Sequence, residues 1–207
     1  MGGGRGRECG GDVMTVRLLA VADIHSGTAA IQAIRDEVER HAPDAIIVAG
    51  DLTSYGDASE VQRVLDSLPG RVLAIPGNLD VPRFFEAGIA KSHAESLVGR
   101  RIEIHGVTVV ALPSRAVTQP TPCDVLVVHE PPWGLLDDVG GGRHIGFREH
   151  LDALHRLHPK VLLCGHCHES PGVVTHEGTC VVNCTLGSGG RGALVEVDGD
   201  HAVAWLL

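Results

Sequence analysis

The 207-residue sequence lacks any long hydrophobic run. Although 43% of its residues are hydrophobic, every apolar segment is interrupted within about ten residues, whereas a membrane-spanning helix needs roughly 20. An excess of basic residues is also missing. The net charge of −9 argues against a broad surface for nucleic acid or for an anionic membrane. We therefore expect a soluble protein that has no membrane partner.

The N-terminus lacks an export signal. Residues 1–13 are rich in glycine but contain no apolar segment of the secretory kind, and Gly6 stands where a myristoylation motif requires Ser or Thr. We expect a disordered extension over 1–13 and a single domain over 14–207; Met14 is an alternative translation start. Six cysteines without an export signal favour reduced thiols over disulfides, and with them a cytoplasmic location.

Five short apolar segments end in an Asp, an Asn or a His. In the clearest case, Ala45–Ala49 stops at Gly50 and is followed by the carboxylate of Asp51. Buried strands are continuously apolar, and ligands of open α/β sheets bind where the carboxyl ends of the strands meet. Seven oxygen and nitrogen ligands at one edge suit two divalent metal ions better than one. The residues expected to converge there are Asp23, His25, Asp51, Asn78, His129, His166 and His168.

The order of the remaining patterns predicts an α/β fold. Apolar residues at helical spacing up to Arg40 and up to Leu68 predict helices between the first three strands. Polar residues over 114–124 predict a loop, and the proline- and glycine-rich segment 130–145 is typical of a functional loop or lid. Short strands with glycine turns after Gly172 are typical of antiparallel pairing. A parallel half and an antiparallel half predict two packed sheets with helices outside.

Each of these residues also has an ordinary interpretation. An Asp after a strand is most often a helix N-cap, and a Gly-Asn pair is most often a turn. The functional interpretation is favoured because the ordinary one must be invoked separately at five strand ends. The histidines expected to be ordinary surface residues are His41, His93, His105, His150, His155, His158, His176 and His201.

The ordered motifs Asp23-x-His25, Gly50-Asp51, Gly77-Asn78-x-Asp80, His129 and Gly165-His166-x-His168 resemble those of the calcineurin-like metallophosphoesterases. The resemblance covers residues 23–168. It implies a four-layer αββα sandwich, with two packed mixed β-sheets flanked by helices, and a two-metal site that hydrolyses a small phosphoester.

The resemblance also implies a role for each of the seven side chains. Asp23, His25 and His168 would hold one ion, Asn78, His129 and His166 the other, and Asp51 would bridge both. Asp51, Asn78 and His129 would take part in catalysis through the ions, and a hydroxide shared by the ions would be the nucleophile. Manganese is the foremost expectation for the metal, with nickel, iron, zinc and cobalt as alternatives.

One position departs from the family's commonest pattern. Leu79 follows the Asn where most members have a His near the leaving group, and leucine can neither donate a proton nor form a hydrogen bond. The change resembles small bacterial and archaeal members that favour phosphodiesters. His144, on the glycine-rich loop, is a candidate substitute acid, and Arg143 is a candidate for neutralising phosphate charge. For His144 an ordinary solvent-exposed loop histidine is the favoured interpretation, and for Arg143 a solvated side chain is an equal alternative.

Other functions compete with this interpretation. Cys164-Gly165-His166-Cys167 matches a thiol-disulfide oxidoreductase motif, but that chemistry needs a helix N-terminus, and a strand is predicted there instead. A zinc site of Cys164, Cys167, Cys180 and Cys184 is disfavoured because Cys164 lies in an apolar strand. A non-catalytic scaffold of the same fold is the main alternative, and retention of all seven ligands favours the enzyme. The sequence does not decide between a monomer and a homodimer.

Overall fold

The computed structural model describes residues 14–112, 122–199 and 201–207. The disordered extension predicted over 1–13 and most of the loop predicted over 114–124 lie outside these residues. The strands are β1 (Val16–Val21), β2 (Ala45–Ala49), β3 (Val72–Ile75), β4 (Glu95–Ser96), β5 (Arg101–Ile104), β6 (Val107–Ala111), β7 (Val125–Val127), β8 (Val161–Cys164), β9 (Gly172–His176), β10 (Thr179–Asn183), β11 (Ala193–Asp198) and β12 (His201–Leu206). The helices are α1 (Thr28–His41), α2 (Ala58–Asp66), α3 (Pro82–Ile89) and α4 (Arg148–Leu157).

The strands form two mixed sheets of six strands each. Sheet one has the order β12-β11-β1-β2-β3-β4, and sheet two has the order β5-β6-β7-β8-β10-β9. In sheet one the neighbours β1 to β4 run parallel, and in sheet two β6, β7, β8 and β10 do. The outer strands β11, β12, β5 and β9 pair antiparallel.

Three apolar layers hold the sheets and helices together. Leu18 and Ile47 of sheet one and Leu163 of sheet two share the core between the sheets. Because successive strand residues face opposite sides, Leu19 of β1 packs outward in the core with α1, α2 and α3, whereas Leu126 of β7 packs outward in the core with α4. Helix, sheet, sheet and helix form the predicted αββα sandwich. Burial on both faces explains the continuously apolar strands.

The division of the strands between the sheets differs from the sequence prediction. The C-terminal strands do not form an antiparallel sheet of their own, because β9 and β10 complete sheet two whereas β11 and β12 extend sheet one. The chain crosses between the sheets beside Ala22, whose N–H donates to the Cys184 carbonyl and whose carbonyl accepts from Leu186 N–H. The five strands that precede the polar side chains are likewise divided, with β1 to β3 in sheet one and β7 and β8 in sheet two.

Two further observations bear on the sequence predictions. The cysteines within the described residues, Cys123, Cys164, Cys167, Cys180 and Cys184, are all free thiols. Over the same part of the chain, every helix is too short or too polar to cross a membrane.

Candidate metal centre

The side chains predicted to converge lie on the loops that follow β1, β2, β3, β7 and β8. Several of these loops turn sharply, since four of the seven residues have a left-handed backbone that is uncommon outside glycine. Such strain is concentrated at functional sites, where the surrounding fold compensates for it. The four are Asp23 (φ 61°), His25 (φ 49°), Asp51 (φ 52°) and His166 (φ 67°).

Glycines allow these loops to approach one another closely. A Cβ atom on Gly77 would collide with the Asp51 carboxylate, and one on Gly50 would collide with the His129 ring. A Cβ on Gly165 would lie 2.7 Å from Asp23 Oδ2. The glycine directly before Asp51, Asn78 or His166 therefore makes room for the side chain of a neighbouring loop.

Asp23, His25 and His168 form the first group of potential ligands. Asp23 is buried, and its Oδ1 lies 3.4 Å from His168 Nε2. The His25 and His168 rings are 5.6 Å apart between centroids. One ligand atom from each of the three residues lies within 4.8 Å of the other two, as a shared metal ion requires.

Asn78, His129 and His166 form the second group. Asn78 Oδ1 lies 2.9 Å from His129 Nε2 and 2.8 Å from His166 Nδ1. Asp51 joins the two groups, because its Oδ2 is 3.5 Å from His129 Nε2 and because Asp23, Asp51 and His129 offer ligand atoms within 4.8 Å of one another. The structure thus brings all seven predicted side chains into one connected site.

The orientation of His129 is fixed by the end of a strand. Its Nδ1 donates to the carbonyl of Ala49 at 2.8 Å, so that Nε2 faces Asp51 and Asn78. A backbone acceptor of this kind sets the tautomer and ring direction of metal-binding histidines. Burial alone would lower the pKa of His129, but the Asp51 carboxylate outweighs it and raises the pKa to about 9.

The electrostatics of the neighbouring groups follow the same pattern. Burial would raise the pKa of Asp23, but hydrogen bonding and charge from His168 and His129 hold it below its ordinary value. The hydrogen bond to Asp23 raises the pKa of His168, whereas burial and the positive charge of His129 lower that of His166. The lowered pKa keeps the Asp23 carboxylate ionised at neutral pH, as a metal ligand must be.

Comparison with known proteins identifies the family. The model of the calcineurin-like phosphoesterases matches residues 16–170 of this chain. The chain belongs to this family. The family hydrolyses phosphoesters with the help of divalent metals, and the clusters described above are the corresponding candidate metal ligands.

Individual relatives are distant. A UPF0046 protein of Caenorhabditis elegans is 38% identical over 64 residues, which are 31% of this chain and 22% of that protein. Among solved structures, the anchor in the inner membrane complex of Plasmodium has a TM-score of 0.66 at 10% identity, covering 93% of this chain and 84% of that one. A structure described as a novel archaeal phosphodiesterase has a TM-score of 0.54 at 13% identity, covering 93% of this chain and 100% of that one. These structures share the fold.

Asp80 is a buried residue beside the candidate metal centre, and sequence analysis gave it no role. Its carboxylate accepts from the backbone N–H groups of Leu52, Thr53 and Gly77 and from the Thr53 hydroxyl, at 2.9 to 3.0 Å. Burial raises its pKa above the ordinary value despite these four donors. Asp80 thereby joins the loop that carries Asp51 to the loop that carries Asn78. Its place in the motif was visible in the sequence, but its four partners were not.

We expect Asp80→Asn to destabilise the protein by about 1–3 kcal/mol. In wild type the second carboxylate oxygen accepts from backbone N–H groups, whereas an amide nitrogen in its place is a donor and would leave those groups unpaired. Hydrolysis should fall as well, since the two ligand loops would separate. Urea unfolding and kcat/KM measure the two effects. Asp198→Asn, at an exposed position, is the control. Unchanged stability in Asp80→Asn would contradict the positioning role.

His144 and Arg143 lie on the segment predicted to be a functional loop. The buried carboxylate of Asp137 accepts a hydrogen bond from His144 Nδ1 at 2.7 Å. It also accepts from the backbone N–H groups of Gly134 and Gly146 at 3.0 Å. His144 thus keeps a fixed ring direction, with its side chain 36% exposed, whereas Arg143 is exposed. The role of His144 as a substitute acid stays a prediction.

His150 corrects one sequence expectation. It was expected on the surface, but it is 3% exposed and its Nδ1 donates to the Glu130 carbonyl at 2.7 Å. The hydrogen bond ties α4 to the loop directly after His129. Since the partner is a distant backbone carbonyl, the sequence carried no signal for it.

The thiol motif has the environment of a structural element. Cys164 lies within β8 and is fully buried, and burial raises its pKa well above the ordinary value. Burial also raises the pKa of Cys167. A redox-active thiol needs the opposite shift. The structure therefore supports the rejection of oxidoreductase chemistry.

We expect Cys167→Ser to retain hydrolysis within about twofold of wild type, because its thiolate is disfavoured and because the potential ligand atoms of this loop are the rings of His166 and His168. The measurement is kcat/KM beside a far-ultraviolet circular dichroism spectrum. Loss of activity in a normally folded variant would assign a chemical role to this thiol.

Proposed function

We propose that this protein is a dinuclear metal-dependent phosphodiesterase that acts on small phosphoesters. The observation that carries the proposal is the position of Asp51, whose carboxylate lies between two groups of potential metal ligands. A carboxylate with two oxygens can serve two cations at once. Separate single-metal sites would not need a shared acidic residue in this place.

The donor set fits two divalent metal ions. Two buried carboxylates, four imidazoles and one amide oxygen suit ions of the manganese-to-zinc series, with manganese foremost. In the proposed assignment, Asp23, His25 and His168 would hold one ion, Asn78, His129 and His166 would hold the other, and Asp51 would bridge them. When bound, such ions supply a hydroxide nucleophile at neutral pH and neutralise the charge of the phosphoryl oxygens.

The protein's own residues position these groups. The Ala49 carbonyl holds the His129 ring, and Leu79 N–H holds Asp51 Oδ1 at 2.8 Å. Asp80 holds the two ligand loops together. The Leu79 side chain donates no proton, so the residue at this position gives the leaving group no acid assistance. Substrates whose leaving group is already stable should therefore react fastest.

A cavity beside the second ligand group favours diesters over monoesters. It has a volume of about 690 Å³, and Asn78 and His166 form part of its wall. Its remaining lining includes the apolar side chains of Phe85, Val98 and Phe147. Such a wall suits an uncharged organic group. A phosphodiester carries such a group on its second ester oxygen, whereas a phosphomonoester carries a second negative charge there.

The Glu130 side chain adds a polar element to the same cavity. It is 3% exposed, and its Oε2 has no hydrogen-bond partner among the described residues. A buried carboxylate oxygen left unpaired is costly, and such groups call for a structural or functional explanation.

The test compares a diester and a monoester that share one leaving group. Bis(4-nitrophenyl) phosphate and 4-nitrophenyl phosphate are assayed with the manganese-loaded protein, and the metal-free protein is the control. We expect the higher kcat/KM for the diester and no hydrolysis without metal. A higher kcat/KM for the monoester would contradict the diester preference, and no hydrolysis of either ester by the fully loaded protein would favour a scaffold.

A further inference from the structure

A separate group of metal-binding side chains lies where α4 meets the β9–β10 hairpin. His155 is in the last turn of α4, His176 is the last residue of β9, and Glu177 begins the turn that follows. One ligand atom from each residue lies within 4.8 Å of the other two. None of the three belongs to the candidate metal centre.

The two imidazoles have the separation of neighbouring metal ligands. Their Nε2 atoms are 3.2 Å apart, and the rings are stacked with centroids 5.4 Å apart. In a tetrahedral zinc site with bonds of about 2.0–2.1 Å, two ligand atoms lie roughly 3.3 Å from one another. The two nitrogens therefore have the separation of two ligands of one ion, which would replace the direct contact between them.

The carboxylate needs only a small movement to complete the site. Glu177 Oε2 is 3.8 Å from His155 Nε2, and its side chain is 56% exposed, so it is free to close the remaining gap. The hairpin turn directs it there: Glu177 has a left-handed backbone (φ 47°), and Gly178 continues the turn (φ 85°). Pairing of His176 with Thr179 fixes the register of this turn.

We propose that His155, His176 and Glu177 bind one Zn²⁺ ion, with water in the fourth position. Two imidazoles and one carboxylate form a donor set that zinc accepts, whereas Mg²⁺ prefers oxygen ligands throughout. Since β9 is an edge strand of sheet two, the ion would tie that edge to the C-terminal turn of α4. Bound zinc should raise the thermal midpoint, because a ligand of the folded state stabilises it.

The test counts zinc ions in the manganese-loaded protein. Wild type and the double variant His155→Ala/His176→Ala are titrated with Zn²⁺ by isothermal calorimetry, and bound metal is measured by elemental analysis. We expect the double variant to bind one zinc ion per chain fewer than wild type and to lose the zinc-dependent rise in thermal midpoint. Mg²⁺ should produce no such rise in either protein. His201→Ala, which removes an exposed histidine of β12, should behave as wild type.

A second variant keeps the test decisive. Glu177→Gln changes one exposed turn residue and preserves its shape, and we expect it to weaken zinc binding at this site at least tenfold. Hydrolysis should stay within twofold of wild type in both variants, which shows that the fold and the candidate metal centre are intact. Equal zinc content and affinity in wild type and in Glu177→Gln, or in a folded double variant, would overturn the proposal.

Discussion

Asp51→Asn is expected to lower kcat/KM by about 10³-fold or more, at the upper end of what a single lost electrostatic contact costs in an active site. Asp51 lies between the two groups of potential ligands, with Oδ1 accepting from Leu79 N–H and Oδ2 facing His129. Asparagine has no negative charge, and its amide nitrogen cannot accept. Two cations would then lose the residue that they share.

The control for this experiment is Asp152→Asn, which removes an exposed carboxylate of α4. Both variants should unfold at similar denaturant concentrations, since Asp51 is on a loop and its neighbours pack around a side chain of the same shape. Metal content should fall only in Asp51→Asn. Turnover within tenfold of wild type would remove Asp51 from the bridging role.

Leu79→His is expected to speed the hydrolysis of esters with poor leaving groups, by up to about the 10²- to 10⁴-fold that general acid catalysis supplies. The backbone of residue 79 is already fixed, because its N–H donates to Asp51 and its carbonyl accepts from Tyr55 N–H. A histidine would therefore begin from a defined position beside Asn78. Aryl esters with stable leaving groups need no acid and should gain little.

The measurement is kcat/KM for a series of phosphodiesters of graded leaving-group pKa. In wild type the rate should fall steeply as the leaving-group pKa rises, and Leu79→His should flatten that dependence. Leu79→Gln, which is polar but not an acid, is the matched control. If kcat/KM of wild type does not change with leaving-group pKa, or if Leu79→His gains equally on every ester, another residue supplies the proton. His144 would then be the first residue to mutate.

The sequence predicted the strand ends because they depend on local order along the chain. Ala45–Ala49 is apolar throughout, since both faces of β2 are covered, and the following glycine and Asp51 mark where burial ends. The same reasoning located Asn78 and His129. Five such ends in a fixed order also identified the family and with it the four-layer fold.

The sequence did not predict features that depend on distant partners. Asp80 is held by Leu52 and Thr53, 28 and 27 residues away, and His150 is held by Glu130, 20 residues away. Composition carries no record of such contacts. Strand β4 is two residues long, too short for an alternating pattern. The assignment of β11 and β12 to sheet one depends on pairing with β1, almost the whole chain away.

The most direct test of the dinuclear account is the dependence of hydrolysis on the number of metal ions bound. Metal-free protein is titrated with Mn²⁺, while bis(4-nitrophenyl) phosphate hydrolysis and bound manganese are measured together. The proposed zinc site of His155, His176 and Glu177 should bind Mn²⁺ poorly, because nitrogen and oxygen ligands bind Mn²⁺ more weakly than Zn²⁺. The account predicts that activity reaches its plateau when two ions are bound per chain. A plateau at one ion, or full activity in the metal-free protein, would contradict it.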